Sequence, residues 1–266
     1  MDQQGRGAAM DSTGSGEARQ AAVPTSLFVL SLPRSLSTVV YHAACMSLDF
    51  RQPAWTTDGE LLNSDRFARS PGDDAGEPGT KYTLREHAPA FFDDLGRFLD
   101  RTVSLHGHGY KDVVHPFVCS AWLADGRFPA LKLRRDPAEV AMSMLARGWH
   151  YPATVASPGH ALDAAVIEGL LRAWRAIDAV PGVTLDYDAV IADEDALHAA
   201  LAELYPEVPL RRVGFIDGAF GAYRDHQLAR RGTDEYRRLS AIVDAVGRDL
   251  DTVSHSAGLE RKATGA

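Results

Sequence analysis

At residues 26–45 an apolar run, SLFVLSL, passes through PRSLST and continues as VVYHAAC. Leu27 to Leu32 has the length of a buried strand, and Val40, Ala43, Ala44 and Ser47 recur at helical spacing on one small face. A strand that turns at once into a helix must have that helix laid back over its own sheet. That demands parallel strands joined by right-handed crossovers.

The rest of the chain keeps the same alternation. APAFFDDLGRFLDRTV has the pattern of an amphipathic helix, YKDVV of a short strand and PALKLRR of a third strand. DPAEVAMSMLARG carries strong helix punctuation: Asp136 to cap, Pro137 at the first position, Glu139 to complete a capping box, and Gly148 to stop. A long helix is expected from about Ala161 to Val180, then a fourth strand in GVTLDYDAV ending at Tyr187 and Asp188. The acidic run Asp193–Asp195 fits a helix start. The expected fold is α/β, a three-layer αβα arrangement around a central parallel sheet with a P-loop-like strand–loop–helix. Residues 1–24 suit a disordered arm, 25–255 one domain and 256–266 a flexible tail, with a mobile polar loop over 70–80.

A strand feeding a helix leaves backbone N–H groups and the positive end of the helix dipole at the turn, where an anion can sit. Arg34 adds a cationic fork, and Ser35, Ser37 and Thr38 add hydroxyl donors. The loop is short enough for one phosphate group. GxxxxGK[ST] is absent, so it is not a Walker loop, and a P-loop-like kinase is the less favoured alternative. About a hundred residues on, Arg135 ends the third strand at the edge where open parallel sheets bind ligands. Ser143 shares a helix stripe with Glu139 and Arg147, off the apolar stripe of Val140 and Met144, and with Arg135 can grip a second phosphate.

Composition narrows the ligand. Lys and Arg number 28 against 36 Asp and Glu, a net charge of −8, which argues against nucleic acid and allows only a local basic pocket. Two isolated cysteines suit a reducing compartment. The first 23 residues lack the apolar segment of a signal peptide, and no run approaches the roughly 18 apolar residues of a membrane span. A cytoplasmic enzyme with no membrane partner is expected, a homodimer being one possible assembly. His106 and His108 have ligand-like spacing without a cysteine or acid cluster, so no metal is expected.

The two segments together resemble the cytosolic-type sulfotransferases that use 3′-phosphoadenosine 5′-phosphosulfate (PAPS). Their 5′-phosphosulfate loop P-[KR]-[ST]-G-[ST]-[ST] is similar to Pro33-Arg34-Ser35-Leu36-Ser37-Thr38, and their 3′-phosphate motif R-[ND]-P-x-[DE]-V-x-x-S to Arg135 through Ser143. TLDYDAV and GAYRDHQLARRGTDEYRRL extend the likeness over about residues 25–240. Leu36 replaces the loop glycine, which is expected to require φ < 0 and a side chain pointing away from the anion. The family's basic C-terminal segment falls on Ile216-Asp217-Gly218, without a cation; Arg211, Arg212, Arg224 and Arg230 are the candidate substitutes.

The resemblance implies PAPS as co-substrate, PAP as product, no metal, and sulfuryl transfer to a hydroxyl of a small acceptor. The composition resembles that of high-GC bacteria, which makes a bacterial secondary metabolite the expected acceptor. Arg34 to Thr38, Arg135, Ser143 and Arg224 are the implied nucleotide ligands. Lys111 matches the family's catalytic lysine, with His115 as candidate base and Asp58 or Glu60 as alternatives. Trp55, Phe91, Phe92, Trp149 and Tyr151 are candidates to line an acceptor pocket. A non-catalytic nucleotide-binding module of the same fold is the alternative outside enzymes.

Overall fold

The structure, a computed structural model, describes residues 23–61, 84–149, 159–214 and 224–263. The expected arm (but for Val23 and Pro24), the 70–80 loop, Tyr151 and Ile216–Gly218 lie outside the described residues.

Four parallel strands form the sheet: β1 (Leu27–Ser31), β2 (Gly109–Asp112), β3 (Ala130–Arg134) and β4 (Val183–Asp186), in the order β2-β1-β3-β4. The helices are α1 (Ser37–Leu48), α2 (Pro89–Thr102), α3 (Pro116–Leu123), α4 (Pro137–Leu145), α5 (Leu162–Asp178), α6 (Tyr187–Ala192), α7 (Asp195–Leu204) and α8 (Asp234–Ala263), with residues 224–231 also helical.

The period of two along β1 divides the core. Leu27 and Val29 face α1, α6 and α7, together with Leu131, Leu133 and Leu185. Phe28 and Leu30 face α2, α3, α4, α5 and α8. Helices therefore cover both faces, as an all-parallel sheet requires. Cys45 lies in one cluster and Cys119 in the other; both are free thiols, and burial pushes Cys45 up to about 12.

Two details differ from the sequence pattern. β4 stops at Asp186, and Tyr187 opens α6 instead of extending the strand. Asp136 caps α4 as expected, accepting from the Ala138 N–H at 2.8 Å, but Glu139 does not close a capping box; it turns to Arg135 and Arg231. Paired cations outcompete the backbone N–H for a carboxylate that is fully buried.

Chain order sets the position of the site. The connection from β1 leads to β2 on one side, while that from β3 leads to β4 on the other. Ligands of open α/β sheets bind outside the strand ends where the direction reverses, here between the C-terminal ends of β1 and β3. Arg34 and Arg135 are the residues that leave those two ends.

Candidate functional site

The turn after β1 is bent by two left-handed residues, Arg34 (φ 63°) and Leu36 (φ 56°). Left-handed residues set close together in a turn gather backbone N–H groups into an anion-binding concavity. The N–H groups of Leu36, Ser37 and Thr38 donate to no group among the described residues, and the Ser35 hydroxyl, fully buried, also lacks a hydrogen-bond partner there. Donors of this kind persist only where something accepts from them. The expectation that Leu36 keeps φ < 0 is overturned. Its side chain nevertheless packs with the apolar cluster beneath α1, alongside Val39.

Lys111 comes to this turn from β2. Gly109 and Lys111 point toward α1, and Gly109 must be glycine: a Cβ there would lie 2.2 Å from the Cys45 sulfur. That close approach brings the Lys111 ammonium, 3% exposed, to 2.8 Å from the Thr38 hydroxyl, to which it donates. The segment after α1 joins from the outer edge of β2. Asp58 and Gly59 make a left-handed turn (φ 52° and 75°) against the Tyr41 ring, Lys111 N–H donates to the Gly59 carbonyl, and Leu61 N–H donates to Lys111. Glu60 is thereby pinned beside Lys111, its carboxylate 3.4 Å from the ammonium.

The other candidate bases sit differently. Asp58 is a surface turn residue, its carboxylate 55% exposed and 3.4 Å from His42. His115 precedes α3; its backbone N–H donates to both oxygens of Asp112 at 3.2 Å, and its ring lies 5.8 Å from that of Phe91. Asp112 is itself buried, and desolvation, reinforced by the nearby charge of Glu60, raises its carboxyl from 3.8 to about 7.

Arg135 is 3% exposed and lies 4.3 Å over the Tyr187 ring. It donates to Glu139 at 3.0 Å, to Gln227 at 2.7 Å and to the Arg34 carbonyl. Glu139 also pairs with Arg231, which reaches Asp188 at 2.8 Å. Gln227 and Arg231 were missed in the sequence, where nothing in RDHQLARR separates them from a solvated helix face. Arg224, on the same helical stretch, is exposed. Of the other substitutes, Arg211 pairs with Asp49 and Arg212 with Asp195.

Ser143 is buried, not a surface residue, and its hydroxyl accepts from Arg34 at 3.3 Å and from Arg147 at 3.4 Å. Arg34 also lies 5.4 Å over the Trp149 ring. A cavity of about 600 Å³ opens beside this network, lined by Arg135, Asp136, Tyr187 and Asp188 at the ends of β3 and β4. A larger one, about 810 Å³, lies at the opposite end of the sheet between Phe50, His106, His108 and Pro209. The smaller cavity shares Arg135 with the loop, since that guanidinium donates to the Arg34 carbonyl. Trp55 and Phe98 meet edge to face at 5.6 Å and Phe92 is buried, so these aromatics pack in the core.

No protein-family model matches the chain, and no curated protein matches it in sequence. Among solved structures it is similar to the crystal structure of the sulfotransferase STF9 from Mycobacterium avium, at 16% identity and a TM-score of 0.38, over 87% of this chain and 77% of that one. No helix of the described residues is long and apolar enough to cross a membrane.

Proposed function

We propose that this protein transfers a sulfuryl group from PAPS to a hydroxyl of a small-molecule acceptor. The observation that carries the reading is the contact between Lys111 and Thr38, which sets a buried cation on the rim of a turn where the Ser35 hydroxyl and the N–H groups of Leu36, Ser37 and Thr38 meet no acceptor among the described residues. Ser35, the N–H groups of Leu36 to Thr38, and Lys111 fit a single phosphosulfate group in charge and in size. The resemblance of the loop and of Arg135–Ser143 to the two PAPS motifs supplies the nucleotide. The cavity beside Tyr187 offers room for its nucleoside.

In such a transfer the bond from sulfur to the donor's phosphate oxygen breaks as a bond from sulfur to the acceptor oxygen forms. Negative charge grows on the leaving phosphate, and the acceptor loses its proton. Lys111 and the loop donors stabilise the charge, and because they are held by the fold they need not reorganise as it develops. Glu60 takes the proton. Of the three candidate bases it is the one held against Lys111, and so against the loop.

The test is a comparison of ligands. Thermal unfolding is followed with PAP, ADP and Mg-ATP, since a ligand selective for the native state raises the midpoint. PAP is expected to stabilise most, and incubation with PAPS and a panel of phenols and alcohols is expected to release PAP. Stabilisation by Mg-ATP alone sinks the proposal. Stabilisation by PAP with no acceptor sulfated under any condition points instead to a nucleotide-binding module. A secondary metabolite as acceptor, and the cytoplasm as location, are parts of the same proposal.

A further inference from the structure

We infer that Tyr41 is a positioning residue, its ring being the seat that holds Glu60 beside Lys111. The inference rests on the reading of Glu60 and Lys111 as the base and the cation of the transfer.

The ring is buried and lies against two glycines, one on each of the segments that carry those two groups. Gly59 immediately precedes Glu60, and a methyl group at Gly59 would overlap the phenol carbon and its oxygen. Gly109 lies two residues before Lys111 on β2. A methyl group there would come within 3.2 Å of the opposite ring edge, and the Tyr41 hydroxyl donates to the Gly109 carbonyl at 3.0 Å.

One stripe of α1 makes all of these contacts. Thr38, Tyr41 and Cys45 recur at helical spacing: Thr38 accepts from Lys111, Tyr41 meets both glycines, and Cys45 closes on Gly109. The loop proposed to hold the phosphosulfate opens the same helix. Loop, cation and base are thereby referred to a single element. His42 adds an outer tie, its ring nitrogens 2.8 Å from the Gln52 amide and 3.4 Å from the Asp58 carboxylate in the segment that leads to Glu60.

Two backbone bonds, from Lys111 N–H to the Gly59 carbonyl and from Leu61 N–H to the Lys111 carbonyl, fix which residues face each other. A segment on the outer edge of a sheet can still tilt about such bonds. The ring against Gly59 sets that tilt, and with it the 3.4 Å between carboxylate and ammonium. Ordinary packing explains a buried tyrosine, but not the turn shaped to receive it. Asp58, not a glycine, is held left-handed at φ 52° next to Gly59 at φ 75°. Such strain persists where the surroundings over-determine it, and it gathers at sites where placement matters. Gly109 likewise forgoes a side chain inside a buried strand. A smaller side chain at position 41 would require neither.

The experiment compares the wild type with Gly59→Ala, Tyr41→Leu and the two combined, by crystal structure and by steady-state sulfation of the acceptor found in the phenol and alcohol panel. Gly59→Ala adds a methyl group against the ring and should move the Glu60 carboxylate beyond about 4 Å from Lys111, out of ion-pair range. Each single variant should lose roughly 10–100-fold in kcat, with the KM for PAPS changed less than about threefold, since an ångström of misplacement at the base leaves the nucleotide contacts intact. The combination should regain at least about threefold in kcat over Gly59→Ala, because the methyl group then has room. A loss of stability alone does not divide kcat from KM in this way. Tyr41→Phe keeps the ring and should lose far less than Tyr41→Leu; that pair carries the test if Gly59→Ala does not fold. An unchanged separation of Glu60 and Lys111 in the variants, or a kcat within about threefold of the wild type in both single variants, overturns the inference and leaves the proposed function standing. A wild type that sulfates no acceptor overturns both.

Discussion

The Lys111 ammonium donates to the Thr38 hydroxyl across 73 residues of sequence, and the same ammonium lies 3.4 Å from the Glu60 carboxylate. One buried cation thus ties β2, the first turn of α1 and the segment 59–61 into a unit. The Thr38 hydroxyl accepts from Lys111, so its proton is free to be donated into the turn.

Lys111 should matter to both stability and chemistry, and the two can be separated. Lys111→Met takes the ammonium from a nearly buried carboxylate and should cost roughly 3 kcal/mol in urea unfolding, the low end for breaking a buried pair. Adding Glu60→Gln should restore much of that stability, since the double variant carries no charge there. Sulfation should remain at least about 100-fold depressed in both, because the leaving phosphate has lost its cation. A fully active Lys111→Met would remove Lys111 from the mechanism.

Glu60→Gln and His115→Asn distinguish the candidate bases. If Glu60 accepts the acceptor's proton, Glu60→Gln should lower kcat by about 100-fold or more with a small change in the KM for PAPS. His115→Asn should then act mainly through packing beside Phe91. The opposite ranking of kcat would transfer the role to His115, the base that the family resemblance put first.

Much of this arrangement is legible in the sequence, and what is missing has a common cause. Strand-length runs and helix punctuation predict three layers because burial on both faces of a parallel sheet leaves few alternatives. Alternation along Leu27–Leu30 even divides the two cores. Contacts between groups far apart in sequence leave no local pattern. Nothing in KDVVH says that Lys111 reaches Thr38, and nothing in the 224–231 stretch marks Gln227 as the partner of Arg135. Ser143 misled for the opposite reason: a hydroxyl off the apolar stripe suggests solvent, yet two arginines cover it.

Asp112 should give the fold a pH dependence. In the unfolded chain its carboxyl ionises near 3.8, whereas in the native state burial holds it protonated until about 7. A carboxyl whose native pKa is raised stabilises the fold fully below the unfolded value and loses that contribution as pH rises through the native one. Unfolding free energy should therefore fall between about pH 4 and pH 7 by an amount on the order of 4 kcal/mol, then level off. Asp112→Asn, which can still accept from the His115 N–H, should flatten that slope. An unchanged slope in the variant would assign it to other groups.

Arg135→Lys tests whether the network behind the loop needs a guanidinium. Arg135 serves Glu139, Gln227 and the Arg34 carbonyl from one planar group, with its face on Tyr187. An ammonium keeps the charge but cannot reach three acceptors in that plane. The substitution should cost roughly 2–3 kcal/mol, and nucleotide affinity should fall with it as the Arg34 carbonyl loses its brace. A lysine variant of native stability and affinity would show that charge alone is required.

Leu36 provides the sharpest test of the loop itself. At φ 56° a leucine pays about 1–2 kcal/mol that glycine does not, and it recovers something similar by packing half-buried against the cluster under α1. These effects oppose each other, so Leu36→Gly should stay within about 1 kcal/mol of the wild type and keep its affinity for PAP, since the backbone donors retain their aim. Leu36→Val sets a β-branched residue at the same left-handed position and should cost roughly 2 kcal/mol while loosening the turn. The ordering of the two variants is what counts. If valine is tolerated as well as glycine, the turn is not left-handed at residue 36, and the cradle of N–H groups is not the one described.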